Sequence, residues 1–289
     1  MRNGNKRCWR RFLPFLLAVA AVAAGCQRKA QETLKSTHQP GQTQLAQPQD
    51  ARVALDQGYV ALEQKQFDEA IARADQVLAS VNHGEGSAEA LYLKGRSLEG
   101  KNAAGVTEAD ARANLQQARE AYVAAFQRNP REPLKSYVHT GLGNVAYFQD
   151  DYPTAVAQLN AAYPNLQSPE TKAWVLYRIG LSQQRQGQFE QADQTFARVA
   201  EAHAGTEPAR RAAQHQGVRA YAVQLATFAS AQTAQSAAAE LKKQGMPARV
   251  ESGPEGRAFL RVGPIASYQQ AQYYKNRFAQ KYPDALIIP

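Results

Sequence analysis

The chain has 289 residues, 44% of them hydrophobic, and a formal net charge of +9 at pH 7. Part of this charge lies before residue 12, and residues 219–289 hold nine Lys and Arg against four Asp and Glu. Because the excess base is local and no arginine cluster stands out, the composition does not indicate a nucleic-acid-binding protein.

The N-terminus has the pattern of an export signal at residues 1–25. Basic residues precede a short apolar run from Phe12 to Ala24, which is too short to span a bilayer as a stable helix. The two cysteines are Cys8, within the basic segment, and Cys26. After cleavage only Cys26 would be left, so disulfides and a cysteine nucleophile are excluded.

The segment AVAAGC, residues 21–26, resembles a bacterial lipobox. The resemblance implies that Cys26 becomes the lipid-bearing first residue. Gln27, in place of an aspartate, implies the periplasmic face of the outer membrane. The alternative is an incidental cysteine beside an ordinary cleavage site. Residues 26–50 are polar and Gln-rich and predict a flexible tether, since such a segment buries too little surface to offset its ordering entropy.

A repeated pattern begins at residue 51: a glycine, an aromatic residue nine positions later, and an alanine three further on. Three matches are Gly58–Phe67–Ala70, Gly143–Tyr152–Ala155 and Gly180–Phe189–Ala192, and an interrupted copy contains Gly95, Ala118, Tyr122, Ala125 and Pro130. The glycines are 37, 48 and 37 residues apart, and the longer spacing predicts an inserted loop, EGKNAAGVTEADARA, at 99–113.

Over residues 51–204 this pattern resembles the tetratricopeptide repeat (TPR), in which small residues lie where two helices cross. The resemblance implies an α-helical solenoid of stacked hairpins that recruits a protein partner. An unrelated helical bundle is the alternative. Residues 205–218 are expected to form a connecting segment, with a capping helix as one possibility.

The same region contains no convincing catalytic, cofactor or metal signature. GRSLEGKN, residues 95–102, is close to a phosphate-binding loop, but Asn102 replaces the Ser or Thr that would ligate magnesium. His83, His203 and His215 are expected at solvated helix ends or loops. The five histidines lack metal-ligand spacing and also include His38 and His139. We therefore predict no enzyme, no cofactor and no metal.

Residues 219–289 predict a small α+β domain with the order βαββαβ, that is, a four-stranded sheet with two helices on one face. The strands are YAVQLATF (221–228), PARVES (247–252), RAFLRVG (257–263) and DALIIP (284–289), and the helices span 231–245 and 267–282. Ser267 and Gln270 form a capping box for the second helix.

The stretches VQLATF, AAAELKKQGMPARV and RVGPIASYQQAQ resemble a SPOR (sporulation-related repeat) domain. The resemblance implies binding to peptidoglycan glycan strands that lack stem peptides. Period-2 alternation turns Val223, Leu225, Val250, Leu260 and Val262 toward the helices. It leaves Gln224, an exposed Phe259 and Arg261 on the open face. The predicted glycan-binding residues are Gln224, Thr227, Phe259 and Arg261.

These features predict an exported, lipid-anchored, non-enzymatic envelope protein that binds peptidoglycan where its glycan is stripped during division and that recruits a protein partner. Export argues against RNA, although RNA-recognition domains share the sheet layout. A solvated sheet face with incidental polar residues is the other interpretation of the site. The alternative function is a TPR-based envelope assembly factor whose SPOR-like domain binds glycan weakly or not at all.

Overall fold

The computed structural model of the protein describes residues 48–81, 83–102 and 106–289. The predicted signal at 1–25, Cys26 and most of the predicted tether lie outside the described residues. The contacts among the described residues divide them into two compact units, 48–141 and 142–289.

Pairs of helices form the first unit and continue into the second. The first unit contains α1 (Pro48–Glu63), α2 (Phe67–Ser80), α3 (Gly84–Lys101), α4 (Glu108–Gln127) and the beginning of α5 (Leu134–Phe148). The second contains the rest of α5, then α6 (Tyr152–Ala162), α7 (Pro169–Arg185), α8 (Phe189–Ala202) and α9 (Glu207–His215). The predicted helical-repeat architecture is therefore confirmed, and α9 lies in the segment predicted as a connection.

The four glycines of the repeat lie where two helices cross. A Cβ atom added at any of them would lie 2.5–2.6 Å from a side-chain carbon of a neighbouring helix. These positions are Gly58, Gly95, Gly143 and Gly180. At Gly95 the neighbour is the fully buried ring of Tyr122, which also fills the space beside Gly141. A side chain at these positions would force the helices apart.

The insertion predicted as a loop at 99–113 is mostly helical where it is described, so that prediction is wrong. α3 continues to Lys101 and α4 begins at Glu108, which makes these helices 18 and 20 residues long. The Thr107 side chain caps α4 by accepting a hydrogen bond from the Asp110 backbone N at 3.2 Å. Residues 108–113 include three alanines and no proline, so they extend α4 readily.

The end of the second unit is an antiparallel sheet with the strand order β2-β3-β1-β4. Its elements are β1 (Tyr221–Phe228), α10 (Ala231–Lys243), β2 (Ala248–Ser252), β3 (Ala258–Ile265), α11 (Tyr268–Arg277) and β4 (Leu286–Ile288). Val223, Leu225, Leu260 and Val262 are at most 1% exposed in the core beneath α10 and α11. The predicted βαββαβ order is confirmed, although α11 ends at Arg277 and not at residue 282.

β1 contains one extra residue, Leu225, between the positions that pair with Arg261 and Leu260 of β3. The extra residue shifts the alternation by one position. Every later residue of β1 therefore faces the side opposite to the one that strict alternation predicts. Strict alternation from Gln224 would turn Thr227 toward the helices. The bulge instead brings Thr227 to the face opposite them.

Gly95→Ala should destabilise the first unit by about 1–3 kcal/mol, because the new methyl group would overlap the Tyr122 ring and that ring has no room to move. Thermal unfolding followed by circular dichroism should show a midpoint several degrees below that of the unmodified chain.

Gly86→Ala is the matched control, because Gly86 lies in the same helix and its added Cβ would meet only Val81 Cγ1, at 3.7 Å. That change should leave the unfolding midpoint unchanged or raise it. Equal effects of the two substitutions would contradict the close helix crossing at Gly95.

Candidate functional site

The four predicted site residues lie together on the sheet face opposite α10 and α11. Gln224 of β1 pairs with Arg261 of β3, and Thr227 pairs with Phe259. Directly paired residues of antiparallel strands share a face, so these pairs form two adjacent rows. Thr227 is exposed, and the other three residues are half-buried.

Arg261 is the centre of the contacts on this face. Its Nε and Nη2 donate to Gln224 Oε1 at 3.3 and 3.2 Å, and its Nη1 donates to Glu251 Oε2. Its guanidinium carbon lies 5.3 Å from the centre of the Phe259 ring. The arginine side chain is only 21% exposed. It is therefore held in a fixed orientation by an amide, a carboxylate and an aromatic ring.

Two further charged residues of this face, Glu251 and Arg249, are missing from the predicted set. They lie on β2 opposite Phe259 and Arg261, respectively. Arg249 Nε donates to Glu251 Oε1 at 2.8 Å, so one carboxylate contacts two guanidinium groups. The alternation that identifies Gln224 also identifies these residues, because Val250 between them faces the core.

Phe259 is half-buried, whereas an exposed ring is expected from the sequence. Its ring lies against Gly253, where an added Cβ would be 2.8 Å from two ring carbons. Arg261 covers the ring from another side. Phe259 therefore offers part of an aromatic surface, framed by polar groups.

The face continues onto β4 with an apolar residue. Leu286 pairs with Gln224 and shares its face, and it is half-buried. The face thus combines an amide, a carboxylate, guanidinium groups and apolar patches. Such a set donates and accepts hydrogen bonds and can cover the flat side of a ring.

Among the described residues, no group of His, Cys, Asp or Glu side chains could hold a metal ion. In the same part of the chain, no helix is long and apolar enough to cross a membrane.

His215 is packed at the end of α9, and the expectation that it is solvated is wrong. Its ring lies 5.4 Å from the Phe196 ring and 5.9 Å from the Tyr177 ring, and its Nδ1 is 2.9 Å from Gln184 Oε1. Burial, with a smaller contribution from the charge of Arg185, lowers the pKa of His215 to about 4. The imidazole is therefore neutral at physiological pH.

Stacked helical pairs joined to a small sheet domain with one open face define a repeat protein that carries an α+β binding domain. Residues 217–289 match the SPOR domain, and residues 55–105 and 103–168 match the tetratricopeptide repeat. The chain thus has TPR repeats at 55–168 and a C-terminal SPOR domain. The hairpin of α7 and α8 lies beyond the matched repeats, and its Gly180 packs closely on Phe196 of α8.

The two matched families are non-catalytic binding domains, and no enzyme family matches the chain. The SPOR domain implies peptidoglycan binding and a periplasmic, envelope location, and the TPR repeats imply protein–protein interaction.

No curated protein matches this chain. One solved structure to which it is similar is titled "Functional Characterization of Pseudomonas Aeruginosa pilF". The two chains are 15% identical in sequence, and their structures align with a TM-score of 0.45. The alignment covers 81% of this chain and 93% of the other. The fold assignment rests on the two family matches and on the elements themselves.

Lowering the pH from 7.5 to 5 should destabilise the second unit by about 2 kcal/mol through His215. The unfolded chain takes up a proton near the ordinary pKa of 6.5, whereas folded His215 does so only near its pKa of about 4. The stabilisation is therefore complete above pH 6.5 and is lost as the pH falls toward 4. Denaturant unfolding at several pH values measures this slope.

His215→Gln should flatten this pH dependence, because the amide cannot take up a proton. His83→Gln is the control for replacing a histidine, because His83 is exposed and lies in the first unit. A slope that His215→Gln does not alter would contradict the neutral, packed imidazole.

Proposed function

We propose that the chain is an envelope lipoprotein whose SPOR domain binds peptidoglycan glycan strands through the open sheet face, while its TPR repeats hold a protein partner. The observation that carries the proposal is the contact network around Arg261. It joins Gln224, Glu251 and Phe259 on one side of the sheet.

A glycan strand presents hydroxyl groups, N-acetyl amides and flat apolar ring faces. Arg261 uses three of its five N–H groups in its bonds to Gln224 and Glu251, so two are left for sugar oxygens. Glu251 accepts hydrogen bonds, as sugar hydroxyls require. Phe259 and Leu286 supply apolar surface for ring faces.

The likeness to SPOR domains supports a more specific ligand, glycan that has lost its stem peptides and is enriched at the division septum. The fixed orientation of Arg261 supports selective recognition, because its donors need no reordering when a ligand binds.

The same contacts favour one alternative. Gln224 and Arg261 already bond to each other, and a ligand must compete with those bonds or use the remaining groups. In the alternative, the protein is an envelope assembly factor in which the repeats do the principal work, and its SPOR domain binds glycan weakly or not at all.

Lipid attachment at Cys26 and the outer membrane are part of the proposal and rest on the sequence AVAAGCQ at 21–27. The envelope location that the SPOR domain implies is consistent with an exported, anchored protein.

Gln224→Ala should weaken binding to purified peptidoglycan roughly three- to tenfold, which corresponds to one hydrogen bond worth about 0.5–1.5 kcal/mol. The measurement is co-sedimentation with peptidoglycan before and after treatment with an amidase that removes stem peptides, at low and at moderate salt. Treatment should increase binding. Because removal of a stem peptide leaves a carboxylate on the glycan and the site carries guanidinium groups, binding to treated glycan should weaken as the salt concentration rises.

Gln235→Ala is the matched control, since this exposed glutamine lies on α10 at the other side of the sheet. It should leave binding unchanged. Val223→Ala should lower the stability of the domain through a core cavity and reduce binding only through unfolding. Equal binding by Gln224→Ala and Gln235→Ala would overturn the proposed site, and no binding under any condition would favour the assembly-factor alternative.

Cys26→Ser should release the protein from the membrane fraction or leave it unprocessed, because the acceptor for the lipid is gone. Membrane fractionation and labelling with a radioactive fatty acid measure this. Cys8→Ser is the control, since Cys8 lies in the segment that is cleaved away, and it should change neither result. A processed Cys26→Ser protein that still sediments with membranes would refute lipid attachment.

A further inference from the structure

Arg185, the last residue of α7, lies among three tyrosine rings that come from different parts of the second unit. Its guanidinium carbon is 4.5 Å from the centre of the Tyr147 ring and 5.4 Å from that of Tyr152, both in the repeats. It is 4.4 Å from the centre of the Tyr268 ring, on α11 of the SPOR domain. A guanidinium over aromatic faces is an attractive contact, and it strengthens when water is excluded.

A chain of hydrogen bonds runs alongside this cluster. Arg185 Nη1 donates to the Tyr152 hydroxyl at 3.2 Å, and that hydroxyl donates to Asp150 Oδ1. Gln272 Nε2 of α11 donates to Asp150 Oδ2 at 2.9 Å. The repeats and α11 are therefore joined both by stacking on Arg185 and by bonds to Asp150.

A second contact joins the helical repeats to the SPOR domain at Tyr221, the first residue of β1. The Tyr221 hydroxyl donates to the Gln184 backbone carbonyl at 2.7 Å, and Tyr221 is only 4% exposed. Its ring lies 6.1 Å from that of Phe189 on α8 and 5.4 Å from that of Tyr268. Burial raises the pKa of Tyr221, so its hydroxyl keeps the proton that it donates.

The connection between α9 and β1 is also held against the repeats. Asp193 of α8 accepts a hydrogen bond from the Gly217 backbone N at 2.9 Å and forms an ion pair with Arg219 at 2.7 Å. The segment that leads into the SPOR domain is thus fixed at two points.

We infer that Tyr147, Tyr152 and Arg185 form a docking surface whose partner is the SPOR domain of the same chain, so that residues 142–289 behave as one rigid body. The partner is identified by what is seated on the surface: Tyr268 and Gln272 of α11. Glycan plays no part in this contact or in the two measurements that test it.

The test is the distance between spin labels on the two parts of the full chain. Glu190→Cys on α8 and Gln235→Cys on α10 place labels at exposed positions, in a chain that also carries Cys8→Ser and Cys26→Ser. Pulsed electron paramagnetic resonance should give one narrow distance distribution. Arg185→Ala should broaden it, because the cluster loses the cation that joins its rings.

Trypsin cleavage after Arg219 gives a second readout of the same contact. Arg185→Ala should accelerate this cleavage about tenfold or more, because the connecting segment opens more often. Arg198→Ala is the matched control, since Arg198 is exposed on α8, and it should alter neither readout. Circular dichroism establishes that each variant is folded.

Gln272→Ala keeps the test decisive if Arg185→Ala fails to fold. This substitution removes the hydrogen bond that α11 donates to Asp150. It should broaden the distance distribution and accelerate the cleavage after Arg219, each to a smaller extent than Arg185→Ala does. The inference is overturned if the unmodified chain already shows a broad distribution. It is also overturned if the folded Arg185 and Gln272 variants both match Arg198→Ala.

Discussion

The architecture of residues 48–215 depends on how closely its helices must approach. A single helical hairpin cannot bury its own apolar side, so the neighbouring hairpins bury it by packing closely against it. The ring of Tyr122 shows the constraint most clearly, because it fills the space left by the missing side chains of Gly95 and Gly141. A glycine on one helix therefore makes room for a large side chain of a neighbouring helix, which is a ring at Gly95 and Gly180 and a leucine at Gly58 and Gly143.

That constraint also explains which features could be predicted from the sequence. A glycine and an aromatic residue at fixed spacing leave a local pattern, so the helical pairs were predictable. The period-2 pattern of β1 and β3 was equally local and placed Gln224 and Arg261 on one face. The same alternation in β2 would have added Glu251 and Arg249 to the site.

Other features were not predicted, and two of the three depend on contacts between distant parts of the chain. The segment at 99–113 looked like a loop because it interrupts the repeat spacing, yet its composition allows two longer helices. The burial of His215 depends on Phe196 and Tyr177, which no local pattern connects to it. Thr227 reaches the open face only through the bulge at Leu225, which strict alternation does not predict.

Tyr221 has a consequence for how far the C-terminal domain can be treated as an interchangeable module. This residue belongs to the core of the sheet domain, yet its hydroxyl bonds to the main chain of α7. A domain excised at residue 217 would leave that hydroxyl without its carbonyl and would uncover the rings of Tyr221 and Tyr268. Conversely, a related domain grafted onto these helices would need an aromatic residue in each of those two places. Tyr221 and Tyr268 therefore serve the contact with the helices as well as the packing of their own domain.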